Sequence, residues 1–102
     1  MATPKPSWRG LFKPLESAVE QTCRKAAEAD GWTQIKVLKR GWPDRMFLKA
    51  GQYVFVEFKR EGKEPRRQQA ARIAKLQKRG ERVWVVDRIE GFTARLNDTT
   101  RT

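Results

Sequence analysis

The chain has 102 residues, with 23 Lys or Arg against 12 Asp or Glu and a formal net charge of +11. This length holds one domain around one small core, and the charge favours a polyanionic partner, because Lys and Arg that neutralise phosphates release counterions. The single Cys23 forbids an internal disulfide, and the lack of His excludes a Cys/His zinc site and every histidine-dependent nuclease, acid–base or triad mechanism, leaving carboxylate chemistry with hard metals.

Residues 1–14 carry Pro4, Pro6 and Pro14 with Lys5, Arg9 and Lys13 and read as an irregular basic arm. Leu15 to Asp30 has helical spacing, with Leu15, Val19, Thr22, Cys23 and Ala26 on one stripe and Gly31 beyond its end. Glu16 and Glu20 lie one turn apart beside that stripe. Like charges at this spacing repel, which suggests a cation nearby, although two solvated glutamates fit the helix equally well. Thr33 to Lys39 is the first expected strand. Arg45 to Leu48 and Tyr53 to Lys59 form a hairpin around Lys49-Ala50-Gly51-Gln52, the second arm being β-branched and aromatic.

After the charged loop at 60–64, Pro65 can open a helix to Arg79 that Gly80 ends. Its apolar stripe holds Ile73 and Leu76, with Gln69 pointing inward, whereas Gln68 aligns with Arg72, Lys75 and Arg79 on the polar face. Val83-Trp84-Val85-Val86 suits a strand buried on both faces, reached by a helical crossover and parallel to the Tyr53–Lys59 strand or a close neighbour. Ile89 to Leu96 is a short closing helix. The expected organisation is a basic arm at 1–14, one domain at 15–96 and a tail at 97–102. It is a small three-layer α/β domain, with a mixed sheet between helices in the order αβββαβ.

Pro43-Asp44 and Glu57-Phe58-Lys59 carry the chemistry. Asp44 precedes Glu57 by thirteen residues, and the hairpin between them brings both to one end of the sheet. Side chains alternate along a strand, so Glu57 and Lys59 share a face while Val54, Val56 and Phe58 take the other. Pro-Asp alone is ordinary turn chemistry, and Glu-x-Lys alone is a common solvated pair. Together they stand out, because Glu57 follows a run that is apolar on both faces, where a carboxylate is costly unless paired or bound to a metal.

Gly41-Trp42-Pro43-Asp44-Arg45, Phe55-Val56-Glu57-Phe58-Lys59, Pro65 with Gln69, and Gly80 before Val83-Trp84-Val85-Val86-Asp87 occur in an order that resembles the VRR-NUC family. These are the virus-type replication–repair nucleases within the PD-(D/E)XK superfamily. The likeness runs from about Leu15 to Phe92. It departs at Trp42, bulky where a small aliphatic residue is the family's habit. The resemblance implies a restriction-endonuclease-like core and Mg²⁺-dependent cleavage of DNA, with Mn²⁺ substituting, on branched or flapped structures such as Holliday junctions. It also implies a homodimer working in replication or repair in a bacterial or phage-infected cell.

Position by position, the resemblance implies that Asp44 and Glu57 are metal ligands, joined by the Phe58 backbone carbonyl, that Lys59 is the catalytic lysine, and that Gln69 stands beside the site. Glu20 matches the first-helix glutamate by its spacing to Gly31, while helix geometry alone slightly favours Glu16. Arg40, Arg45, Lys49, Arg60, Lys63, Arg66 and Arg67 are candidate DNA contacts, reading backbone shape rather than base sequence. Trp8, Leu11 and Phe12 of the arm are the expected dimer contacts. No apolar span, secretory segment or one-sided basic helix supports a membrane partner, and a cytoplasmic location is expected. The competing readings are a binding module whose acids are structural, and a weakly active subunit targeted by another protein.

Overall fold

A computed structural model describes residues 15–99. The chain runs through α1 (Glu16–Ala29), β1 (Thr33–Lys36), β2 (Arg45–Lys49), β3 (Gln52–Phe58), α2 (Arg67–Lys78), β4 (Val83–Val86) and α3 (Phe92–Thr99). The four strands form one sheet in the order β1-β2-β3-β4. The first three pair antiparallel, and β4 lies parallel to β3 after the α2 crossover. The αβββαβ order, the mixed sheet and the flanking helices are those expected of a restriction-endonuclease-like core. The last helix extends to Thr99, so residues 97–99 belong to it rather than to a tail. The arm at 1–14, with Trp8, Leu11 and Phe12, lies outside the described residues.

Local chemistry sets the element ends. Both α1 and α2 close on a left-handed glycine. Gly31 has φ 89° and Gly80 φ 91°, and the following residues send their N–H groups back to Ala27 and Leu76 at 3.0 and 3.1 Å. The β2–β3 hairpin turns on two residues, Ala50 and Gly51, at φ 51° and 80°. Two positive φ values in a two-residue loop match the twist of the strands it joins. They place Ala50 in a conformation that L side chains disfavour.

One apolar layer joins α1 and α3 to the sheet. Val19, Cys23 and Ala27 of α1 pack with Trp32, Phe47, Val54, Val56, Phe58, Val86, Phe92 and Leu96. Phe47 meets Phe92 edge-on at 5.4 Å and Phe58 at 6.3 Å, a geometry worth about 0.5–1.5 kcal/mol per pair beyond area burial. The buried α1 stripe is therefore 19, 23, 27. Leu15, Thr22 and Ala26 are exposed; Leu15 has extended backbone before the helix starts, and Thr22 and Ala26 lie off the side that the sheet covers. On the opposite face Ile73 and Leu76 of α2 pack with Val83, Phe55 and Trp42. The end of β3 is thus covered on both sides.

Candidate active site

The hairpin register fixes the site. Arg45 pairs with Val56, so one further step sets Asp44 across from Glu57. Asp44 is held from both sides. Its carbonyl accepts the Val37 N–H at 2.8 Å, and its Oδ2 accepts the Phe58 N–H at 2.7 Å. Glu57 is 1% exposed and Lys59 9%. Lys59 Nζ lies 3.2 Å from Glu57 Oε2. The contact is an ion pair without hydrogen-bond geometry, so both buried Glu57 oxygens lack a hydrogen-bond donor. A buried polar atom left unpaired costs about 1–3 kcal/mol, and more for a charged group.

The electrostatics agree with the geometry. Burial, then repulsion from Asp44, pushes the Glu57 carboxyl up to about 7 against the pull of Lys59. The Asp44 carboxyl is also raised, chiefly by burial and further by the charges of Glu20 and Glu16, with the Phe58 N–H and Lys59 opposing. Two neighbouring acids that resist ionisation together form a site that a cation would relieve.

No family model matches the sequence, and neither does any curated protein. A solved structure described as a VRR-NUC domain does match, with TM-score 0.71 and 28% identity, covering 80% of this chain and 94% of that one. The chain belongs with the VRR-NUC domains. Its fold is accordingly that of a nuclease domain of the PD-(D/E)XK type. The matched region takes in most of both chains, so the acids at the β2–β3 end sit on a scaffold common to both proteins.

Within this VRR-NUC scaffold the remaining expected residues are distributed unevenly. Glu20 is engaged elsewhere: its Oε2 accepts Arg45 Nε at 2.5 Å, and Arg45 also donates to Gln34. Glu16 is exposed and has no recorded hydrogen bond or ion pair, yet its charge acts on both Asp44 and Glu57. The spacing that favoured Glu20 did not anticipate its capture by a β2 arginine. Gln69, expected to point inward beside Lys59, is half-buried and caps its own helix, its Oε1 accepting the Arg66 N–H at 3.0 Å. That position is the third residue of the helix, where a glutamine commonly folds back on the chain.

The basic residues divide in the same way. Arg45 donates to Glu20 and Gln34. Lys49 sits beside the hairpin turn at the far end of the sheet from the acids, donating to the Asp30 carbonyl at 2.7 Å and lying over the Trp32 ring at 5.8 Å. Arg40, Arg60, Lys63, Arg66 and Arg67 belong to the segments that flank the acids. The loop carrying Arg60 and Lys63 is pinned to the end of β4, since Asp87 Oδ2 accepts the Gly62 N–H at 2.9 Å.

Among the described residues no three acidic, histidine or cysteine side chains gather closely enough to cage a metal ion. The donor set nonetheless fits a hard cation. It offers carboxylate oxygens, two of them buried on Glu57 without a hydrogen bond, beside a second acid that burial and the charges of Glu20 and Glu16 keep from ionising freely.

Proposed function

We propose that the chain is a Mg²⁺-dependent endodeoxyribonuclease, with Mn²⁺ able to substitute, that hydrolyses phosphodiester bonds in branched DNA and works as a homodimer. The observation that carries the reading is the convergence of Asp44, Glu57 and Lys59, with Glu57 buried, facing Lys59 as an ion pair and accepting no hydrogen bond. Asp44, Glu57 and the Phe58 carbonyl would hold the metal, with Glu16 as the third acid in preference to Glu20. The bound ion would supply Lewis acidity toward the scissile phosphate and a water acidified for attack.

The chain's own residues do the rest. The Phe58 N–H fixes the rotamer of Asp44, so one of its oxygens is committed and the other is free to ligate. Lys59, steered by Glu57, orients the attacking water and balances the charge that develops on the phosphorane. The covered faces of β3 exclude bulk water and strengthen these interactions. Recognition falls to basic residues on the flanking segments, and hence to the backbone rather than the bases. No helix among the described residues is long and apolar enough to cross a membrane.

Purified wild type and Asp44→Asn are to be compared on four-way junctions, flaps, duplex and single strands with Mg²⁺, Mn²⁺ or EDTA. Cleavage by the wild type with metal, lost in the variant while binding in EDTA survives, is the expected outcome. Full cleavage by Asp44→Asn refutes the site. Tight metal-independent binding with no cleavage by the wild type favours a binding module. Light scattering on the same samples tests the dimer.

A further inference from the structure

A cavity of about 450 Å³ beside the loop that leads into Asp44 is lined, among the described residues, by Arg40, Gly41, Gln68 and Arg72. It lies between the β1–β2 loop and the first turns of α2, and Gly41 is three residues from Asp44. Arg72 is half-buried, and its guanidinium lies over the Trp42 ring at 5.3 Å. That ring is itself fixed, packing edge-on against Phe55 at 6.1 Å and joining the α2-side core. The Trp42 Nε1–H is buried and has no acceptor.

The charges in this corner are uncompensated. Among the described residues, neither Arg40, Arg72 nor Gln68 has a hydrogen bond or ion pair, and no carboxylate lines the cavity. A guanidinium lying on an indole has lost rotamer freedom before any ligand arrives, so less entropy is lost when it binds an anion. Its planar fork matches two oxygens of one phosphate. The side-chain amide of Gln68, one turn before Arg72 on the same face, adds a neutral donor.

The geometry points to a phosphate subsite in which Arg72, held on Trp42, and Arg40 grip a backbone phosphodiester of the bound DNA beside the one that is cut. It presupposes the nuclease reading and adds a residue pair that sets where the strand lies relative to Asp44 and Glu57. Trp42 is then the platform that aims Arg72, a positioning residue rather than a contact.

The test measures binding in EDTA, by anisotropy of fluorescein-labelled junction and duplex DNA across a salt series, for wild type, Arg72→Ala, Arg72→Lys, Arg40→Ala and Trp42→Leu. Thermal melts confirm that each variant folds. Arg72→Ala should bind roughly tenfold more weakly, the loss of one charged hydrogen-bonding contact. Its plot of log affinity against log salt should be shallower by about 1, one phosphate contact fewer. Arg72→Lys should keep the slope and lose part of the affinity. Trp42→Leu should resemble Arg72→Lys.

A scan with single neutral methylphosphonates locates the contact. One substitution beside the cleavage position should weaken wild type and leave Arg72→Ala unaffected. Wild-type affinity in Arg72→Ala, or a loss that adds independently to that of every methylphosphonate, overturns the subsite while leaving the nuclease reading intact. A wild type that binds no DNA overturns both. Trp42→Leu, which opens a space in the α2-side core, is decided by the methylphosphonate scan if it proves too unstable for titration. In that case Arg40→Ala must show the same insensitivity at the same or the adjacent phosphate, and its absence counts against the subsite.

Discussion

Replacing Glu57 by Gln should stabilise the metal-free protein at alkaline pH while abolishing cleavage. The folded protein raises this carboxyl from 4.5 to about 7, so between those values the native state keeps a proton that the unfolded chain has released. The contribution of Glu57 to stability is therefore greatest below pH 4.5, falls as pH rises through about 7, and is flat above. At about 1.4 kcal/mol per pH unit, the full span amounts to roughly 3 kcal/mol of destabilisation at pH 8. The raised Asp44 carboxyl acts with the same sign. The amide in Glu57→Gln would keep the shape and remove the charge, at the loss of the attraction to Lys59 at 3.2 Å. We expect a net gain of about 1–2 kcal/mol at pH 8, vanishing near pH 4. Urea denaturation in EDTA from pH 4 to 8 measures both proteins. A wild type whose stability rises with pH across this window, or a variant with the same slope as wild type, refutes the burial argument. Added Mg²⁺ should flatten the wild-type curve alone, since only the acid pair has a charge for it to neutralise.

Lys59→Ala should eliminate turnover and largely preserve Mn²⁺ binding by calorimetry, because an ammonium is no metal ligand but does balance transition-state charge; loss of metal binding in a folded variant would contradict the role given to Lys59. It should also cost about 1–3 kcal/mol in EDTA at pH 8, where Glu57 loses its one counter-charge. Ala50→Gly should stabilise the protein by about 0.5–1 kcal/mol in thermal melts, since φ 51° strains an alanine and suits a glycine. A destabilised Ala50→Gly would mean that the hairpin turn leaves this backbone conformation in solution.

The sequence by itself determined what depends on neighbours along the chain. Alternation from Tyr53 to Lys59 placed Glu57 and Lys59 on one face, the glycines at 31 and 80 marked both helix ends, and Val83–Val86 read as a strand parallel to β3; its expected burial on both faces fails, because β4 is the edge strand and Val85 is exposed. Asp44 and Glu57 were legible because a hairpin is a local structure whose register follows from its turn. Helix phase was less legible. The stripe shifted from Ala26 to Ala27 because the sheet, not the average hydropathy of the turn, decides which side of a helix is covered. Only the tertiary structure decided the pairings between residues far apart in the chain. Arg45 reaches across 25 positions to Glu20, a pairing that spacing did not suggest, while the charges of both Glu20 and Glu16 still act on Asp44. Arg72, on a face that reads as solvated, lies on Trp42 because the crossover helix packs over the loop before Asp44. Periodicity reports which side of an element is apolar, but the partner of a charge is set by how elements dock, and that depends on the whole core at once.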